Sequence, residues 1–177
     1  LVSRIKIMSA LTVSTIRTDT IRSSDIATNS ILIDSSGRTT APNQPAFYGY
    51  RSAGEVWESY PSISVYNYNI VVTNRGNCYN PATGTFTCPI SGVYAVAPGG
   101  LMGANGGSVT MYVFVNEVNR VARGVHSNTV GNSNWFYQST IFMVRCSKND
   151  RIQIRVGTGG QAIYAGQYSH GSIWLYS

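Results

Sequence analysis

The sequence predicts an all-β protein: a jelly-roll β-sandwich preceded by a short β-rich trimeric stalk. Three observations predict it. From Ala46 onward, short alternating or doubly apolar runs are separated by clusters of Gly, Asn, Asp and Pro, the pattern of strands and turns. No run carries helix start and stop signals. About ten such runs follow one another, which suits a sandwich or jelly roll.

Composition narrows the class further. The chain has 177 residues, enough for one ordinary domain and an appendage. Only 11% are charged, against about 25% in an average soluble domain. Ser, Thr, Asn, 18 Gly and 12 Tyr fill much of the rest, so the surface is one of hydroxyls and amides. The net charge of +6 comes from 13 basic and 7 acidic residues. Two readings of it compete, attraction of anionic partners such as phosphate-bearing glycans or nucleic acid and charge scattered for solubility. The cations stand singly from Arg4 to Arg155, so no run forms a basic patch and no nucleic-acid partner is expected. No stretch approaches the roughly 18 apolar residues of a membrane span, so no membrane insertion is expected. The first fifteen residues lack a continuous apolar run and a small-residue cleavage site, so no secretory signal is read there. On this reading translation starts at Leu1 or at Met8.

Residues 1–45 form a separate segment without any aromatic residue. Leu11, Ile16, Ile21, Ile26 and Ile31 recur every five residues. On a helix that spacing spirals around the axis, and on a flat strand it alternates between faces. A repeated bend or bulge returns each apolar side chain to one side. One chain cannot enclose a core with so few, because stacked repeats must bury their apolar edge against something. Three copies around an axis would place these five residues in a stalk core; the alternative is an extended linker. Asp34–Arg38 reads as a turn, and Pro42 and Pro45 mark a linker. The expected division is therefore a 1–45 stalk and a 46–177 sandwich.

In the sandwich the strand regions read Ile63–Thr73, Gly84–Cys88, Val93–Ala97, Val109–Val115, Arg120–His126, Trp135–Cys146, Arg151–Val156, Ala162–Ala165 and Ser172–Tyr176. Met111-Tyr112-Val113-Phe114-Val115 is apolar on both faces. A two-sheet sandwich buries one face only, so this surplus predicts burial between subunits. Cys78 and Cys88 flank a turn within reach of pairing, and the other reading is that Cys78, Cys88 and Cys146 are all small buried thiols.

Tyr68, Asn74, Tyr79, Phe86, Gly92 and Tyr94, with Val96 and Pro98 after them, resemble the signature of the C1q-like and tumour-necrosis-factor-like family. Tyr68 stands where that family usually has Phe, and Val96 and Pro98 replace its last two aromatics. Ala46-Phe47 resembles the family's first strand, Gly84–Tyr94 its central hairpin, Lys148–Ile152 its late turn and Ser172–Leu175 its last strand. The resemblance implies a ten-stranded jelly roll assembled as a tight homotrimer. Pro98 is expected to end its strand early, having no N–H to donate. The front segment, Leu11–Ile16 and Ile31–Arg38 leading into Pro45-Ala46-Phe47, resembles the stems of tailed-phage structural proteins, many of them from cyanophages, in which a C1q-like tip sits on a virion-attached stalk.

Catalytic constellations are not evident, and the chain is not expected to be an enzyme. Its two histidines, His126 and His170, read as surface or loop residues. No HExxH, GxSxG or phosphate-binding loop is present, and Gly99-Gly100, Gly106-Gly107 and Gly159-Gly160 read as turns between strands. Glu55 and Glu58 share one loop rather than facing across a cleft as a glycosidase needs. Some relatives bind calcium, but its oxygen-rich ligand set is not evident here and no CxxC spacing exists, so neither metal nor cofactor is expected. Trp57, Tyr60, Trp135, Tyr164 and Tyr168 lie in or near predicted loops and are candidates for stacking on sugar rings, the alternative being trimer packing. The function expected is that of a fibre or spike at the virion surface. It is held to a capsid or tail protein through the N-terminal segment, with the jelly roll displayed toward a host surface glycan. A purely structural capsid decoration and a secreted C1q-like ligand are the alternatives.

Overall fold

The computed structural model describes residues 20–22, 29–33, 35–52, 54, 56–60, 63–103, 108–127, 135–159 and 162–177. The chain divides into two units, 1–43 and 44–177. In the first, β1 (Thr20–Arg22), β2 (Asn29–Ile33) and β3 (Thr39–Thr40) form an antiparallel sheet in that order. Ile21 and Ile31 stand directly opposite each other across β1 and β2, so the five-residue spacing brings two of its members into register. Ile31 remains 36% exposed. Leu11, Ile16 and Ile26 lie outside the described residues.

The second unit is a two-sheet sandwich. Its strands are β4 (Ala46–Arg51), β5 (Trp57–Ser59), β6 (Ser64–Val65), β7 (Ile70–Arg75), β8 (Tyr79–Asn80), β9 (Thr85–Thr87) and β10 (Gly92–Gly103). They continue with β11 (Ser108–Val115), β12 (Asn119–Ser127), β13 (Trp135–Ser139), β14 (Phe142–Cys146), β15 (Arg151–Gly159), β16 (Ala162–Tyr164) and β17 (Gly166–Leu175). The larger sheet runs β5-β16-β10-β17-β4-β7, with β13 and β14 on the free side of β10. The smaller runs β12-β11-β15-β9-β8, with β6 beside β15. Phe47, Tyr94, Val96, Ile163 and Ile173 from one sheet meet Phe86, Met111, Val113, Ile152 and Ile154 from the other in one buried core. Among the described residues no helix is long and apolar enough to cross a membrane.

The signature residues form one connected part of that core. Phe47 stacks on Tyr79 at 3.7 Å and meets Tyr68 at 6.1 Å. The Tyr68 amide donates to the Tyr79 hydroxyl at 2.9 Å. Asn74 clamps the Tyr79 backbone from both sides: the Tyr79 N–H donates to Asn74 Oδ1 at 2.9 Å, and Asn74 Nδ2 donates to the Tyr79 carbonyl at 2.8 Å. Phe86 lies edge-on to Tyr94 at 5.7 Å, and the Tyr94 hydroxyl donates to the Ile90 carbonyl at 2.7 Å. Gly92 is required by close approach, since a Cβ there would stand 2.6 Å from both Leu175 Cδ1 and the Ser177 carbonyl oxygen. Asn74→Ala leaves two backbone groups of the buried Tyr79 unpaired. It is expected to cost about 2 kcal/mol, read as a lower midpoint in urea at unchanged slope.

Several sequence expectations are corrected. Ile63–Thr73 is not one strand: β6 belongs to the smaller sheet and β7 to the larger, and Tyr66 and Tyr68 fill the core where the chain crosses between them. Trp135–Cys146 is likewise two strands, β13 and β14, parted at Thr140-Ile141. Pro98 does not end its strand but sits inside β10. β13 and β14 pair with β10 in one continuous register, which places Thr140 opposite Pro98, and the Pro98 carbonyl accepts from the Thr140 N–H at 3.4 Å. The return bond is the one Pro98 has no N–H to make, and it is there that β13 and β14 part, while β17 continues to pair Pro98 on its other edge. Gly99 and Gly100 also lie within β10 rather than in a turn. A Cβ on Gly99 would stand 2.5 Å from the Tyr137 hydroxyl, so bareness here serves packing. Gly159 ends β15, while Gly106, Gly107 and Gly160 lie outside the described residues. His126 and His170 are strand residues of β12 and β17.

The cysteines are free and buried. The neighbouring Cys146 thiol, with burial added, holds the Cys88 thiol well above its ordinary range.

Candidate functional site

The outer face of the larger sheet carries the chain's unspent apolar surface. Strand alternation sends Tyr94 and Val96 into the core and therefore Ala95, Ala97 and Gly99 outward. Ser172 of β17 stands opposite Ala97, so small residues floor the face there, while Trp174 stands opposite the buried Ala95. Tyr48, Ile70, Tyr137 and Met143 rise around that floor, Tyr137 being 47% and Met143 51% exposed. The Tyr137 hydroxyl crosses Gly99 to lie 2.8 Å from His170 Nε2, and Tyr48 meets the same imidazole at 6.1 Å.

Three of the candidate glycan aromatics meet at one end of this face. Trp57 stands opposite Tyr164, which stands opposite Leu101, which stands opposite Tyr137. Trp57 is edge-on to Tyr164 at 4.9 Å, and Tyr168 lies 5.8 Å from Tyr164. Tyr60 is not part of the row: it packs edge-on against buried Tyr66 at 5.5 Å and donates to Glu58 Oε2 at 2.9 Å. Trp135 occupies the β13 position opposite Gly103; its side chain lies outside the described residues. Tyr48, Tyr137 and His170 were missed by sequence reasoning. Two of them sit in ordinary alternating strands, and the neighbouring glycines of His170 imitate a loop.

Glu58 is fully engaged. Arg51 Nη2 reaches Glu58 Oε1 at 2.7 Å and Arg51 Nε reaches both carboxylate oxygens at 3.1 Å. Arg51 Nη1 donates to Asn67 Oδ1 at 2.6 Å. The bond to Glu58 raises the Arg51 pKa, and burial, with Glu58 next, pushes the Tyr60 phenol up. This carboxylate is a structural counter-charge with no oxygen left for a substrate proton or a cation. Arg51→Met strands Glu58 at the margin of the core, with side-chain exposures of 21% and 16% for the pair. The substitution is expected to cost about 2 kcal/mol, measured by denaturant unfolding. Among the described residues no three His, Cys, Asp or Glu side chains converge on one point.

The expected surplus on β11 is corrected. Phe114 is only 8% exposed because the Arg155 guanidinium lies over its ring at 4.4 Å. The Phe114 ring is thus covered within the chain, and the exposed aromatics Tyr48 and Tyr137 with Met143 lie on the larger sheet.

Two antiparallel sheets in this order, packed face to face with a glycine-floored outer surface, define a jelly roll of the C1q and tumour-necrosis-factor type. Residues 46–174 match the C1q domain family, and the chain belongs to it. Among solved structures it is similar to the Eiger TNF of S. frugiperda, with a TM-score of 0.59 and 11% identity over 76% of this chain and 94% of that one. The globular domain of zebrafish complement 1qA aligns with a TM-score of 0.55 and 16% identity over 76% and 98% of the two chains. Murine APRIL aligns with a TM-score of 0.57 and 9% identity over 75% and 99%.

Proposed function

We propose that this chain is a non-enzymatic, homotrimeric spike of a virus particle. Residues 1–45 form the stalk that holds it to a capsid or tail protein, and the jelly roll is displayed outward toward a host surface glycan. The observation that carries the trimer is the outer face of the larger sheet. β10 spans 12 residues. At about 3.3 Å per residue and 4.8 Å per strand, its central strands cover roughly 40 Å by 20 Å. That is about the 800 Å² which each partner of a standard interface contributes. Small residues at its centre let two backbones approach, and the surrounding aromatics supply rigid contact area. Trp57, Tyr164 and Tyr168 at its end serve either the interface or a sugar bound beside it.

The virion placement rests on the resemblance of the front segment to tailed-phage stems and on the charge-poor, hydroxyl-rich composition. Gold-labelled antibody against the jelly roll is expected to decorate intact particles, and deletion of residues 1–20 is expected to abolish that label. Unlabelled particles contradict the placement, and a truncated chain that still co-purifies with particles contradicts the anchor.

A further inference from the structure

The larger sheet's outer face is committed to assembly, which leaves the smaller sheet's outer face toward solvent. The cations that stand singly in the sequence gather on this sheet. Strands β12, β11 and β15 carry Arg120, Arg123, Arg151 and Arg155 and no carboxylate. Their register sets Arg123 and Arg155 on either side of Tyr112, and Arg120 and Gln153 on either side of Phe114. The Cα positions of Arg123 and Arg155 are therefore two strand spacings apart, about 10 Å, close to the length of a disaccharide.

Arg155 is built differently from the other described arginines of the sandwich with ion pairs. Arg51 is neutralised by Glu58 and Arg151 by Glu117 at 3.1 Å. Among the described residues Arg155 is held by neutral groups alone: it lies over Phe114, and its Nε and Nη2 donate to Gln153 Oε1 at 3.1 and 2.6 Å. Gln153 is 6% exposed, and its amide is fixed in turn by a 3.0 Å bond from Nε2 to Thr85 Oγ1. The guanidinium is thus immobilised with its charge uncompensated and its Nη1 without a partner among the described residues. A fixed fork of N–H donors is the geometry that carboxylate and sulfate groups accept.

We propose that this face binds an acidic polysaccharide, with Arg155 as its fixed anion contact and with Arg123 and Arg120 at neighbouring register positions of the same sheet. Single-stranded nucleic acid is disfavoured because it needs open aromatic rings for its bases to stack on, and the Phe114 ring is already covered by Arg155. The proposal rests on the reading of the jelly roll as a displayed trimeric head. Three copies of a weak site then act together, and avidity exceeds single-site affinity.

The test uses the full chain and four immobilised probes: size-fractionated dextran sulfate, a polyuronate, neutral dextran and a single-stranded oligonucleotide. Dextran sulfate and polyuronate are expected to bind and neutral dextran is not, with affinity falling roughly tenfold or more from low to high salt as charges are screened. Arg155→Gln is expected to weaken binding roughly tenfold or more through loss of the fixed contact in every subunit. Arg38→Gln, which removes the same charge from the front unit, is expected to leave it unchanged. Sedimentation of each sample checks assembly, and if Arg155→Gln fails to assemble, Arg123→Gln carries the same expectation. Undiminished binding by the variants, no binding of either acidic polysaccharide by an intact trimer, or tighter binding of the oligonucleotide overturns the site and leaves the trimer standing. A monomeric wild type overturns the trimeric reading instead.

Discussion

Phe86→Ala is expected to destabilise the fold by about 3–5 kcal/mol, a large share of the roughly 5–15 kcal/mol that a domain possesses. Phe86 is wholly buried and stands opposite Tyr79 on one side and Ile152 on the other. Its edge-on contact with Tyr94 bridges the two sheets at 5.7 Å. Removing the ring loses the transfer energy of its atoms and opens a cavity between two sheets that cannot close without breaking register. Denaturant unfolding at fixed protein concentration measures it, since assembly adds to apparent stability. Phe86→Leu, which keeps most of the volume, is expected to recover more than half of the loss. A midpoint change worth less than about 1 kcal/mol for the alanine variant contradicts a buried bridging role.

Ala97→Arg is expected to convert the trimer to monomers while leaving each jelly roll folded. Ala97 lies outward on β10 beside Ser172, in the floor of the face proposed to close the trimer. An arginine there places a charge in a closing interface without a counter-ion, and an unpaired buried charge costs about 3–5 kcal/mol. Each 1.4 kcal/mol is about tenfold in association, so roughly a hundredfold or greater weakening is expected. Sedimentation should find the monomer and the strand spectrum should be unchanged. Ile90→Arg, in the exposed turn before β10, is expected to leave the trimer intact. If both variants remain trimeric, the covered face has been misidentified.

The parts of this fold legible in the sequence are those governed by local periodicity. Phe86 announces itself because Thr85 and Thr87 flank it in a period of two, whereas Tyr94, between Val93 and Ala95, was legible only through its place in the family signature. Alternation does not report which strand accepts the hydrogen bonds, however. Tyr66 and Tyr68 continue the period through the crossover between sheets, and β6 and β7 therefore read as one element. Pro98 and the Gly99-Gly100 pair read as breakers because propensity is local. Pro98 stays inside β10 because β17 pairs it on its other edge, and Gly99 is required by Tyr137 lying across it, both contributed by strands distant in sequence. Trp57, Tyr164 and Tyr168 were legible as aromatics near loops, but Tyr60 was indistinguishable from them until its bond to Glu58 gave it a structural place. The placing of Arg123 and Arg155 on either side of Tyr112 was not legible at all, since it arises only through the register of β11 with its two flanking strands.

Sedimentation equilibrium of the untagged full chain across a wide dilution range bears most directly on all of this. Three subunits should persist at every concentration, with dissociation only where the jelly roll itself unfolds. A soluble, well-folded single subunit at low concentration, with Tyr137 and Met143 still open to solvent, would contradict it.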